Sequence, residues 1–305
     1  MHWKHGILSG EMPSAPPIAW VLNLDSEDEL ARGALYRPPA LAKRAELADR
    51  GLRSGLVRSV DVVLDGHLGV RDDRCAHGRV GAAFMPTPYA LHRLAESGSI
   101  VPRAPTLEVL RRANLRSLIL PKLDDAVFVS TRDDALFALH RPTASQLWLC
   151  KRALGAAGRG HRRVPAGRVR DADVAWIDAA LRKTGGIQIT PWLDRVGDFA
   201  QHGLLAEDGA LTVGEPTTQQ IDAGDAWCSS RLATDRELDA SERIALRTAL
   251  EVAGETLSAI GYFGPFGIDG FRYRTSDGRL AFCACCDVNA RYTMGFAVGM
   301  AAHLG

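Results

Sequence analysis

The stretch "LAFCACCDVNARYTMG", Leu280 to Gly295, sets three cysteines against an acid, an asparagine and an arginine. Read through its thiolates it is a soft-metal knuckle; read through Asp287 and Asn289 it is a strand that carries hard oxygen ligands. Alternate residues of a strand share a face, so Cys283, Cys285, Asp287 and Asn289 are expected on one side. The preceding strand, "FGIDGFRYR", brings Asp269 back through the turn "TSDG". A two-residue turn would set Asp269 opposite Cys286, away from Asp287. A three-residue loop, Ser276-Asp277-Gly278 with Gly278 left-handed, restores the parity and makes Asp269 and Asp287 diagonal neighbours. Structural zinc asks for four ligands, and "CACC" has no second pair beyond isolated Cys228 or His202. The balance favours cysteines that pack as small apolar residues, with Cys283 and Cys285 against the wall of a ligand pocket. Asp269, Asp287 and Asn289 then form an oxygen set suited to Mg²⁺ or Mn²⁺.

The 305 residues suffice for one large or two to three ordinary domains. Hydrophobic content of 46% and charged content of 24% are those of a soluble globular chain. A net charge of +1 gives no field to recruit nucleic acid or anionic lipid. The N-terminal "MHWKHGILSGEMPSAPP" lacks the apolar run of a signal peptide, and no stretch is apolar for long enough to span a bilayer. Six cysteines, half of them within four positions, make no disulfide framework, so a reduced cytoplasm is the expected compartment.

Outward from the hairpin, short apolar strands alternate with capped helices. "PIAWVLNL", "VDVVLDG" and "GAAFM" read as buried strands. Ser26 is the expected cap of "SEDELARGAL", and Thr87 and Thr106 cap the helices that follow. This alternation argues for a parallel-sheet α/β unit over 1–106. A second unit, 107–186, holds "DAVFVS", "TRDDALFALH", "QLWLCKRAL" and the helix "DADVAWIDAALRKTGG". A third, 187–305, opens at "IQITPWL", turns a hairpin at Asp208-Gly209, and carries the best helix, capped by Asp239 with Leu246, Leu250, Ala253, Leu257 and Ile260 as its stripe.

Three further segments bear chemistry. "LWLCKRALGAAGRGHRR" puts Lys151 at the end of a strand with Gly155, Gly158, Arg159 and Gly160 beyond it. Backbone N–H groups of such a loop converge on an anion beside the lysine's charge, although neither the P-loop nor the dinucleotide pattern fits. A flexible basic loop is the competing reading, and the absence of interleaved aromatics disfavours RNA. "IQITPWLDRVGDF" is either a domain linker anchored by Trp192 or a hinge whose backbone reads a base, with Asp198 near a ribose.

With the segments in this order, the chain resembles the ATP-grasp superfamily. Four motifs carry the resemblance, from about Leu107 onward: "LCKRALGAAGRG", "ITPWLDRVGDF", "GPFGIDGFRY" and "CDVNARYTMG". It implies an N-terminal parallel-sheet α/β domain followed by a two-subdomain ATP-grasp fold, α/β and α+β in class, with ATP held between the subdomains. By position, it implies that Lys151 and the loop through Gly160 hold the phosphates. Thr190, Pro191, Trp192 and Leu193 frame the adenine and Asp198 approaches the ribose. Asp269, Asp287 and Asn289 hold magnesium. Arg291 stabilises developing charge, Arg272 is a weaker candidate for the same work, and Arg116 is the weakest of the phosphate contacts.

The activity implied is an ADP-forming, Mg²⁺-dependent ligation of a small-molecule carboxylate, through an acyl-phosphate, to an amine or thiol. No nucleic acid or membrane partner is expected, and a homodimer is compatible with the resemblance. The alternative is a catalytically impaired ATP-binding module that regulates or scaffolds. Two departures motivate it. Asp287 stands where the superfamily usually has glutamate, one methylene or about 1.5 Å shorter, and Thr190 stands where an acid is common.

Overall fold

A computed structural model of the chain describes residues 16–64, 73–155, 160–221 and 227–303. The N-terminal unit is a three-stranded parallel sheet in the order β2-β1-β3, from β1 (Ile18–Val21), β2 (Val62–Val63) and β3 (Val80–Ala83). Around it lie α1 (Ser26–Arg32), α2 (Leu41–Leu52) and α3 (Pro88–Glu96). Thr87 caps α3 by accepting from the Ala90 N–H, and Pro88 takes the first helical position, where a missing donor costs nothing. The cap of α1 is Asp25, not Ser26. Ser26 is already helical, and its buried Oγ has no partner.

The second sheet is antiparallel in the order β4-β7-β5-β6: β4 (Val127–Val129), β5 (Leu147–Arg152), β6 (Arg162–Pro165) and β7 (Ile187–Pro191). Two helices, α5 (Arg132–His140) and α6 (Asp171–Thr184), cover it over a core of Trp148, Val164, Ile177, Ile187 and Ile189. The boundary expected at 187 therefore moves: β7 bonds to both β4 and β5, so this unit's sheet runs to Pro191. At the other end, α4 (Leu107–Ala113) sends Leu110 and Ala113 into the core of the third unit, because that is where apolar surface is available to bury them.

That third unit is a six-stranded antiparallel sheet, β11-β10-β8-β12-β13, with β9 added to β8. Its strands are β8 (Asp194–Leu205), β9 (Leu211–Val213), β10 (Thr217–Ile221), β11 (Trp227–Leu232), β12 (Gly264–Arg274) and β13 (Leu280–Asn289). One face packs on α7 (Ala240–Ala259). Asp239 and Glu242 close a capping box at its start, and Leu246, Leu250, Ala253 and Leu257 are wholly buried against Phe266 and Ile268. Both hairpins turn through three residues. In the second, the Thr275 N–H bonds to the Arg279 carbonyl, and Gly278 takes φ +83°, a conformation that costs other residues a Cβ clash.

The N-terminal sheet is welded to this unit. The chain leaving β13 bonds Tyr292 N–H to the Phe84 carbonyl, and Tyr292 and Phe296 stack edge-on beside Trp20. Beneath the same loop lies His202, 1% exposed, its ring nitrogens 3.0 Å from Thr293 Oγ1 and 3.3 Å from Thr217 Oγ1. Burial pushes this imidazole down to about 4.

Two outcomes follow. Phe266→Ala should lower the unfolding free energy by about 3–5 kcal/mol in urea titrations. Because His202 is held neutral, its contribution should be complete above about pH 6.5 and erode as pH falls toward about 4, where the unfolded chain binds a proton that the folded one refuses. A His202→Gln variant should show a shallower loss over that window than wild type.

Candidate active site

The β12–β13 ladder fixes the site. From the turn, Arg274 pairs with Leu280 and Phe271 with Cys283. The register then shifts, so that Asp269 stands directly opposite Asp287 and Gly267 opposite Asn289. A shift of two residues keeps the parity, so the two acids are direct neighbours on one face instead of the diagonal ones expected. The bulge needs Gly270: a Cβ there would lie 2.9 Å from the carbonyl oxygens of both Cys283 and Ala284.

The bulge also breaks the expected alternation of the cysteines. Cys283 and Cys286 bury together against Phe271, whereas Cys285 packs toward the α7 core. It is Cys286, not Cys283 or Cys285, that reaches the cleft wall. Burial raises all three thiols above their ordinary value, so these are neutral packing groups. Among the described residues no group of three or more His, Cys, Asp and Glu converges as a metal site.

Around Asp287 the charges are dense. Arg116, 8% exposed, donates to Asp287 Oδ2 from Nη2 at 2.7 Å and from Nε at 3.2 Å. The same guanidinium holds the carbonyls of Arg152 at 2.7 Å and Gly155 at 3.0 Å, tying the root of the glycine-rich loop to β13. Lys151 Nζ, at the end of β5, stands 4.0 Å from the same carboxylate oxygen. Burial alone would raise the Asp287 carboxyl; the cations of Arg116 and Lys151 overcome it and hold the group below its ordinary value.

Among the described residues Asp269 forms no ion pair, and the charge of Arg291 is the weakest of the influences on it. Asp269 accepts from Gln219 Nε2 at 3.1 Å and Asn289 Nδ2 at 2.9 Å, while burial and the neighbouring Asp287 charge raise its carboxyl. Two adjoining carboxylates, one of them short of positive charge, with a carboxamide beside them, fit a hard divalent ion that keeps water and phosphate oxygens for the rest of its shell. Two acids with no imidazole or paired thiolate do not make a closed zinc site.

The remaining expected residues divide. Thr190, Pro191, Trp192 and Leu193 line a narrow cleft together with Lys151, Leu149, Phe271 and Cys286. Arg163 lies over the Trp192 ring at 3.8 Å. Asp198 is not in that cleft; it faces a broader polar groove beyond Arg195, which borders both and pairs with it at 3.1 Å. Arg291 comes within reach, donating to Asn289 Oδ1 at 3.0 Å. Arg272 does not. It pairs across the ladder with Phe282 on the α7 face, where Glu242 takes its guanidinium through Nε at 2.7 Å. Gly155 and Gly160 flank the loop, while Gly158 and Arg159 lie outside the described residues.

Sequence reasoning missed two basic side chains. Arg195 lies against the Phe271 ring at 4.1 Å, and its only sequence signal is its place between hinge and Asp198. His161 follows the glycine loop. Crowding by neighbouring atoms, then the charges of Lys151 and Arg116, push its imidazole down to about 4.

No protein-family model matches this sequence, and no curated protein matches it. Solved structures do. The fold is similar to that of D-alanyl-alanine synthetase A from Vibrio cholerae, at 14% identity and a TM-score of 0.54, over 96% of this chain and 94% of that one. It is also similar to biotin carboxylase from Campylobacter jejuni, at 11% identity and a TM-score of 0.51, over 93% and 67% of the two chains. The chain has the ATP-grasp fold. At these identities the likeness is one of fold.

Removing Arg116 leaves a half-buried Asp287 with Lys151, 4.0 Å away, as its remaining cation. Arg116→Ala should cost about 3–5 kcal/mol in denaturant unfolding, and the double variant Arg116→Ala/Asp287→Ala distinctly less than the sum of the singles.

Proposed function

We propose that the protein is an ATP-dependent, ADP-forming ligase that activates a small-molecule carboxylate and joins it to an amine. One observation carries the reading: Lys151, Arg116, Asp287, Asp269 and Asn289 adjoin one another beside a cleft lined by Thr190–Leu193, at the junction of two sheets. The D-alanyl-alanine synthetase and the ATP complex of biotin carboxylase, which share the fold, support the reaction class.

In this reading the cleft takes the base between Leu149, Trp192 and Leu193, with Lys151 and Arg116 as cations for the phosphates. A carboxylate oxygen of the substrate attacks the terminal phosphorus, the bond to the β-phosphate oxygen breaks, and ADP leaves with the electron pair. The amine lone pair then attacks the acyl carbon, inorganic phosphate departs, and the amine proton passes to solvent or a nearby base. Magnesium held by Asp269, Asp287 and Asn289 would supply charge neutralisation at the phosphates. Among the described residues Arg291 commits three of its five N–H groups, to Glu27, Tyr292 and Asn289, and the other two are the donors this reading assigns to charge that develops on the reacting groups.

A second reading has its own observation. Arg116 already pairs with Asp287 at 2.7 Å, which leaves that carboxylate less charge to offer a metal and favours a module that binds nucleotide without turning it over.

With ATP, Mg²⁺ and pools of amino and carboxylic acids, wild type should release ADP and form a ligated product. Lys151→Ala and Asp287→Ala should each lower that rate about 10²-fold or more. ADP release unchanged in Asp287→Ala would sink the ligase; ATP-dependent thermal stabilisation without any product would favour the module.

A further inference from the structure

A continuous chain of hydrogen bonds runs from the third unit into the first. Gln219 donates to Asp269 Oδ1 at 3.1 Å, and Asn289 Nδ2 donates to Asp269 Oδ2 at 2.9 Å. Arg291 Nη2 donates to Asn289 Oδ1 at 3.0 Å, and Arg291 Nε to Glu27 Oε1 at 2.7 Å. The last link joins residues 264 positions apart, both less than 10% exposed. Glu27 belongs to α1, in the N-terminal unit; every other member is on the third unit's sheet or the loop leaving it.

We infer that Glu27 is a positioning residue for the site, acting through Arg291. The inference rests on the ligase reading of that site. A guanidinium is planar, so fixing Nε fixes where both Nη atoms point. With Nε on Glu27 and Nη1 on the Tyr292 carbonyl, Nη2 is aimed at the Asn289 carboxamide oxygen. That contact in turn sets which end of the amide faces Asp269, since the nitrogen must then be the donor. Glu27 therefore orders two of the three oxygen-bearing side chains without touching them.

A salt bridge that only joined two domains would end at Arg291. This one continues through Asn289 to Asp269, the carboxylate that is paired with amides and not with a guanidinium or ammonium among the described residues. Phe84 lies beneath the Arg291 guanidinium at 5.2 Å and gives no acceptor to replace Glu27. Loss of Glu27 thus leaves a buried guanidinium with one N–H unpaired and its rotation less restrained.

The test uses the full chain in four forms: wild type, Glu27→Ala, Glu27→Asp and Glu27→Gln. Mn²⁺ alone is titrated and followed by electron paramagnetic resonance, and kcat and KM for ATP are read from ADP release. Glu27→Ala should weaken Mn²⁺ binding and lower kcat by about 10–100-fold, with KM for ATP moving less than about threefold. Glu27→Asp keeps the charge but draws it back by about 1.5 Å, and should show the same loss if the alanine variant fails to fold. Glu27→Gln, which keeps an acceptor in place, should recover most of the wild-type values. Mn²⁺ affinity and kcat unchanged in Glu27→Ala or Glu27→Asp, beside an active wild type, would overturn the inference while leaving the ligase reading standing. A wild-type chain that binds neither Mn²⁺ nor ATP would defeat both.

Discussion

Two carboxylates held opposite each other on neighbouring strands, largely out of water, are the constraint that organises this molecule. Asp269 and Asp287 cannot both stay charged at that spacing without positive charge or strong donors nearby. The fold supplies both. Lys151 arrives from the second unit and Arg116 from the segment after α4, and both answer Asp287; the amides of Gln219 and Asn289 answer Asp269 only in part. The asymmetry leaves one acid stabilised as an anion and the other still short of charge, a poised state for a cation or a phosphate-bound metal to complete.

Arg116 shows how such a site couples distant parts. Its guanidinium touches β13, the end of β5 and the root of the glycine-rich loop at once. A planar fork with five donors can do this where a lysine cannot, because its directions are fixed and its charge spreads over several contacts. The shorter Asp287 fits the same scheme. Its Oδ2 accepts from both Nε and Nη2 of Arg116, so one carboxylate oxygen carries the whole contact.

Around this centre the packing divides labour. The α7 stripe and the β8–β12 ladder form the floor, the second unit brings the cleft wall and Lys151, and the N-terminal sheet locks the loop after β13 through Tyr292, Phe296 and the Glu27–Arg291 pair. Low identity to the solved structures alongside a similar fold is understandable in these terms. Many apolar sets can fill the same floor, whereas the positions of a few charged groups depend on backbone geometry.

What the sequence determined by itself was local. Caps at Thr87, Thr106 and Asp239 follow from nearest-neighbour rules of helix-end hydrogen bonding, whereas two turn lengths between β12 and β13 stayed open in the sequence, and the structure decided for three residues and a register shift that keeps Asp269 and Asp287 on one face. The tertiary structure alone decided what depends on elements far apart in the chain. Nothing near Arg116 in the sequence marks it as the partner of Asp287, nor Glu27 as the partner of Arg291. A bulge at Gly270 reassigned the cysteines, and Arg272 was drawn to Glu242 on α7. Charges taken out of water must find opposite charges wherever folding brings them, and that search runs through space instead of along the chain.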